Sequence, residues 1–267
     1  VFYRASTDND RGCQYMYDSG IWEFVERWQR CIDFKVEETD TKVVVRYTYE
    51  LPISEDSVLI VADKREKPSK SAGKENKGNG RKGIRTEIVY TVTADGKVNI
   101  SLHYHGAKGL PELPLFGMEF PLKREFEQFA YYGIGPDENY VDRNNGGKIG
   151  IFASTVTENY SPYLKPQSCG NRTETRWLEL SDGEGKIRFS ADVQGRPFQF
   201  TALHYRESEL ENAMHTGDLP AENYTYVKIL AKHMGVGGDD SWGSQVRENC
   251  RVTAEEDILY SFDITME

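Results

Sequence analysis

Alternation of apolar and polar positions is the dominant pattern along the chain. Residues 42–49 and 58–62 are β-branched and aromatic runs of strand length, and 85–93 alternates cleanly before 98–102 does the same. Between the last two stands Asp95-Gly96, a dipeptide that favours the tight turn of a hairpin. Further strands are predicted at 128–132, 187–191, 224–229 and 258–264, and residues 1–4 also read as part of a strand. Helix signals are few. Residues 19–28 carry Trp22, Val25 and Trp28 at every third position, and 208–213 form a short helix started by Ser208. Many strands with hardly any helix predict an all-β sandwich or barrel.

Residues 64–83 break the pattern, with eight Lys/Arg against two Glu and almost nothing apolar. Such a stretch buries nothing, so it is expected to be a solvated, flexible loop between two strands and not an anion-binding arm. The length suits one large β domain or two ordinary ones; the remaining chain shows no internal repeat or clear boundary and is treated as one domain, 1–267. A net charge of −10 argues against nucleic acid as a partner, and there is no apolar run of about 18 residues that would cross a membrane. The 12% aromatic content, with 16 Tyr and 12 Phe, fits an extensive sheet protein. Val1 in place of Met leads to the expectation that the chain is a piece of a longer protein, and any targeting signal would lie upstream, so its compartment stays open. The cysteines (Cys13, Cys31, Cys169, Cys250) form no C-x-x-C pair, so buried thiols are expected, not structural zinc.

The densest candidate chemistry lies in His233-Met234-Gly235-Val236-Gly237-Gly238-Asp239-Asp240-Ser241-Trp242-Gly243. Glycines and aspartates make this a tight loop that ends by presenting an indole. By residue type alone Trp242 is either a plug in the core or a flat apolar face for a sugar. Adjacent aspartates in a turn bond nearby backbone, so Asp239 and Asp240 are read as residues that position the loop, not as a glycosidase pair. Asp8 and Asp10 are read in the same way, as caps and pins. Glu138 and Asp142 open as a turn, with Arg143 the expected ion-pair partner of one of them. His103 and His105 share one face of a strand, but a metal would need further ligands and none is adjacent in sequence.

Four separated segments together resemble one family. They are Arg4-Ala5-Ser6-Thr7-Asp8-Asn9-Asp10-Arg11-Gly12, residues 133–143 (Gly-Ile-Gly-Pro-Asp-Glu-Asn-Tyr-Val-Asp-Arg), residues 163–172 (Tyr-Leu-Lys-Pro-Gln-Ser-Cys-Gly-Asn-Arg) and the loop ending at Trp242. In this order they resemble the C-terminal, small-chain domain of the large bacterial lactose-hydrolysing β-galactosidases of glycoside hydrolase family 2 type. The resemblance implies a single large antiparallel β-sandwich, a supersandwich of the galactose-mutarotase-like kind. It also implies that the catalytic carboxylates lie on a preceding TIM-barrel domain outside this chain. Trp242 would then complete the galactose pocket for a β-galactoside substrate, and the isolated piece would be inactive. The family further implies a homo-oligomeric parent, no cofactor in this piece, and Mg2+ and Na+ on other domains. One position departs from the usual Pro-Gln-Glu-x-Gly-x-Arg pattern: Ser168 stands where the Glu is expected, so its loop needs compensation from elsewhere. The rival readings are a free-standing carbohydrate-binding or aldose-1-epimerase-like module and a purely structural domain. An epimerase would need a carboxylate converging with one of His103, His105, His204 or His233, His215 falling in a polar loop.

Overall fold

The computed structural model describes residues 1–53, 83–240 and 243–267. Three short helices open the chain: α1 (Asp8–Gly12), α2 (Met16–Ser19) and α3 (Ile21–Trp28). Strands β1 (Arg30–Glu38), β2 (Lys42–Glu50), β3 (Arg85–Thr93), β4 (Val98–Tyr104), β5 (Leu115–Lys123), β6 (Gln128–Gly135) and β7 (Lys148–Thr155) follow. After β8 (Arg172–Thr175), β9 (Trp177–Ser181), β10 (Lys186–Ala191) and β11 (Phe198–Leu203) comes helix α4 (Glu207–Asn212). Strands β12 (Tyr224–His233) and β13 (Ile258–Met266) close the fold.

The strands form two antiparallel sheets. The larger has nine strands in the order β1-β2-β3-β4-β13-β10-β9-β6-β7, and the smaller has four in the order β5-β12-β11-β8. Their facing side chains interlock, with Phe120 of β5 5.1 Å from Phe189 of β10 and Phe200 of β11 5.2 Å from Tyr131 of β6. The fold is therefore an all-β sandwich. Period-two burial follows the sequence pattern: in β4, Ile100, Leu102 and Tyr104 are buried, and Asn99, Ser101 and His103 face outward. The Asp95-Gly96 hairpin joins β3 to β4 with Gly96 at φ +83°, as the dipeptide demands. β12 is buried on both faces: Val227 and Ile229 join the main core, and Lys228 reaches Glu207 of α4.

Several expectations need correction. Residues 1–4 join neither sheet; Phe2, Tyr3, Arg4 and Ala5 are all buried, so the segment runs through the interior without alternation. It is tied instead by the Val1 amine to Gly117 O (2.8 Å) and by the backbone N–H groups of Phe2 and Tyr3 to Glu26. The helix expected over 19–28 does form, as α3, with Trp22 and Val25 buried and Trp28 exposed. α4 starts one residue before Ser208; the Glu209 carboxylate accepts the Arg206 N–H at 2.7 Å and so fixes the start. All four cysteines are free, yet only Cys169 is buried; Cys31 is exposed because β1 is exposed along its length. The predicted strand 58–62 lies outside the described residues, as does the basic stretch 64–83 apart from Gly83.

Candidate functional site

β12 ends at the buried His233, and the chain then turns because glycine and aspartate replace the β-branched run. Gly237 begins the turn at φ +62°, a left-handed conformation that favours glycine, and a Cβ there would press on the Asn9 amide. Neighbouring segments grip the loop on both flanks. Asp142 accepts the Val236 N–H (3.0 Å) on one oxygen and the Gly237 N–H (2.8 Å) on the other. Arg143 donates to Gly237 O and pairs with Asp239 Oδ1 at 3.4 Å. Arg247 donates from Nε to Asp239 Oδ2 (3.0 Å), with Nη2 2.9 Å from the same oxygen as an ion pair. Asn9 donates to Ser244 O (2.9 Å), and Ser244 N–H donates to Asp240 (3.2 Å).

The floor beneath this loop is a buried ion pair. Arg4 meets Asp10 at 2.8 Å with both side chains sealed from solvent, and its Nη1 donates to Met234 O (3.0 Å) where the loop begins. Burial alone would weaken the Arg4 charge, but Asp10 more than offsets it and raises the pKa. Asp10 also takes the Thr7 N–H, and Thr7 Oγ1 takes the Asp10 N–H, which opens α1. His233 donates from Nδ1 to Met234 O (2.7 Å), and its Nε2 meets no donor or acceptor among the described residues. Burial, and then the Arg4 charge, push its pKa down to about 3, so the ring is neutral.

Glu138 draws in the segment 163–172. One oxygen accepts Tyr163 OH (2.6 Å) and Ser161 Oγ (3.1 Å); the other accepts Gly170 N–H (2.6 Å) and Tyr140 OH (3.2 Å). Gln167 accepts the Asp8 N–H (2.8 Å), which ties the same segment to α1. All four sequence motifs thus meet at one end of the sandwich. Asp10, Glu138, Asp142 and Asp239 each carry protein donors on both oxygens. Hydrogen bonds from Arg247 and Arg143 hold Asp239 below the usual carboxylate range despite some desolvation. Acids so occupied position backbone; they are poorly placed to shuttle protons.

Against this geometry the comparisons are decisive on family. Residues 1–266 match the model of the β-galactosidase small chain. The chain belongs to the β-galactosidase small-chain family. It is similar to a β-galactosidase of Halalkalibacterium halodurans, at 35% identity over 99% of this chain and 24% of that protein. A β-galactosidase small subunit of Latilactobacillus sakei is 33% identical over 99% of this chain and 83% of its own length. The chain spans about a quarter of the first of these relatives. Among solved structures, a galactose 1-epimerase from Lactobacillus acidophilus matches at 9% identity and TM-score 0.41, covering 88% of this chain and 66% of that one.

Within this small-chain domain, Trp242 and Ser241 lie outside the described residues. Asp239 bridges Arg143 and Arg247, and Asp240 accepts from Ser244. The expected pairing of Arg143 with Glu138 or Asp142 is corrected: Arg143 takes Asp239, and Asp142 holds loop amides instead. Sequence reasoning missed Asn9, Arg247 and Glu207. The last of these answers the departure at Ser168, since Ser168 Oγ lies 3.5 Å from the Glu207 carboxylate, which also takes Ala5 N–H (2.7 Å) and the buried Lys228 (2.6 Å). A lone lysine in the apolar run 226–230 was the available signal that a buried acid waited nearby. Of the histidines, His204 is buried against Glu127 at 2.8 Å and donates from Nδ1 to Tyr224 O, while His215 is exposed beside Asp218. His103 and His105 lie on the outer face of β4 and its extension, where the fold brings Glu87 and Asp257 alongside them. No described helix is long and apolar enough to cross a membrane.

Proposed function

We propose that this chain is the C-terminal module of a glycoside hydrolase family 2 β-galactosidase, acting on terminal β-D-galactosides. In this reading it lends Trp242 to the wall of the galactose pocket, and the catalytic carboxylates belong to a TIM-barrel domain of the same enzyme. The observation that carries the reading is the family match over residues 1–266, together with relatives named β-galactosidase of which this length is about a quarter. The loop supports it. Residues on both sides of positions 241–242 are fastened by Asp142, Arg247 and Asn9, which holds the described flanks of the loop in place.

An indole laid on the C–H face of galactose removes a few tens of Å2 from water, worth on the order of 1 kcal/mol. That contact acts on ground and transition states alike, so it lowers KM more than it raises kcat. The partners of the chain are then the catalytic domain and the galactoside, in a homo-oligomeric enzyme. Mg2+ or Na+ would be served by the other domains, because the acids around this loop are taken by protein donors. Trp242→Ala in the full-length enzyme should raise KM several-fold with kcat largely kept. An unchanged KM removes the role of the indole, and galactoside turnover by the 267-residue chain alone removes the division of labour.

A further inference from the structure

His103 and His105 stand two residues apart, so both side chains leave the same face of the chain. That face is the outer one, since Leu102 and Tyr104 are buried in the core. β3 places Glu87 directly opposite His103 in the ladder, and the turn into β13 brings Asp257 alongside. Nitrogen and oxygen donors from three neighbouring strands therefore converge. His103 Nε2 lies 2.7 Å from Asp257 Oδ2, His105 Nε2 lies 3.6 Å from Glu87 Oε1, and His105 Nδ1 lies 3.7 Å from Asp257 Oδ2. The two imidazole centroids are 3.8 Å apart, and one ligand atom each from Glu87, His103 and His105 falls within 4.8 Å of the others. Asp257 is itself held, its Oδ1 accepting the Gly106 N–H at 3.0 Å.

We propose that Glu87, His103 and His105 form a binding site for a late divalent transition metal such as Zn2+, with Asp257 as a fourth ligand or as the acceptor that orients His103. Two imidazoles and two carboxylates are a donor set that suits Zn2+, Ni2+ or Cu2+ and disfavours Mg2+, which prefers oxygen and water. Tetrahedral Zn2+ with bonds of about 2.0–2.1 Å needs its donors to close by roughly 1 Å, a motion open to half-exposed side chains on a fixed ladder. A carboxylate behind a ligating imidazole is the usual support for such a site. The bound ion would tie β3, β4 and the entry to β13 together at the surface.

Zn2+ titrated into the 267-residue chain should bind at one site, and Mg2+ should not compete. In the unsubstituted chain, paramagnetic Ni2+ should broaden the ring-proton signals of His103 and His105 and spare those of His215. His105→Ala should abolish Zn2+ binding, and Asp257→Asn should weaken it by about 10- to 100-fold. Zn2+ binding that survives His105→Ala unchanged overturns the proposal. Broadening centred on His215, or no Zn2+ binding at all, does the same, the latter leaving only hydrogen bonds between histidine and carboxylate.

Discussion

Arg4 and Arg30 each face a carboxylate at nearly the same distance, 2.8 Å to Asp10 and 3.0 Å to Glu50, yet they belong to different physical regimes. The Arg4 pair is sealed under the glycine loop, with side chains 0% and 1% exposed; Arg4 also donates to Met234 O, and Asp10 also accepts the Thr7 N–H of α1's cap. The Arg30 pair sits on the β1–β2 ribbon at the edge of the large sheet, 73% and 30% exposed. β1 is exposed along its whole length, and its ladder with β2 carries charged residues (Lys35, Glu37, Glu38) that discourage pairing with another chain. The contrast teaches that environment, not separation, decides what an ion pair contributes. The loop end is specified by polar groups that must all be satisfied together, and the ribbon by backbone hydrogen bonds that tolerate many side chains.

The largest effect is expected where the comparison is sharpest. Arg4→Met leaves Asp10 buried without its cation, which should cost about 3–5 kcal/mol in chemical denaturation. Adding Asp10→Asn to that variant should restore part of the loss, because no lone charge is then buried. A cost under about 1 kcal/mol for Arg4→Met would place this pair with exposed ones and dissolve the distinction between the two regions.

What the sequence made legible was local. The β3–β4 hairpin could be seen because Asp95-Gly96 and its flanking alternation are contiguous, and the turn after His233 because glycine and aspartate announce it. Partners across the fold were not legible. Arg143 and Asp239 are 96 positions apart, and Asp142 reaches the Val236 amide over 94, so nearby acids such as Glu138 looked like the natural choices. The carboxylate beside Ser168 comes from Glu207, 39 residues on, and only packing of α4 over β12 brings it there. Residues 1–4 misled for a related reason: a run of apolar and aromatic types suits a strand, but burial on all sides left them no alternation to express. Helix α3 shows the limit of spacing. Trp22, Val25 and Trp28 share a period, yet Trp28 falls at the last turn, beyond the reach of the core.

The second test uses pH to separate the regions. His233 lies in the loop floor, and its pKa falls from 6.5 to about 3 because burial and Arg4 disfavour the imidazolium. In the unfolded chain the ring takes up a proton below about pH 6.5, and in the folded chain it does not until about pH 3. The unfolded state therefore binds more protons in that window, and folding stability falls as pH falls through it. The slope from this one residue is about 1.4 kcal/mol per pH unit. His233→Asn keeps a donor for Met234 O and removes the titration, so the stability difference between the two chains should be flat above pH 7 and narrow steadily from pH 6.5 to 4. Parallel curves over that range would mean that the floor admits a charged ring and is not the sealed region described.

The smallest effect belongs to the ribbon. Arg30 and Glu50 are direct partners in the β1–β2 register as well as an ion pair, so a contribution from either source is measurable by a double-mutant cycle. High exposure means that both charges stay hydrated, and holding a long arginine side chain in one rotamer costs entropy of a size similar to the Coulomb gain. The coupling energy between Arg30→Ala and Glu50→Ala should therefore lie below about 1 kcal/mol and fade as salt rises above physiological strength. A coupling that reached the 3–5 kcal/mol range of a broken buried pair, or that resisted salt, would show the edge ribbon to be shielded by a surface this chain does not itself provide.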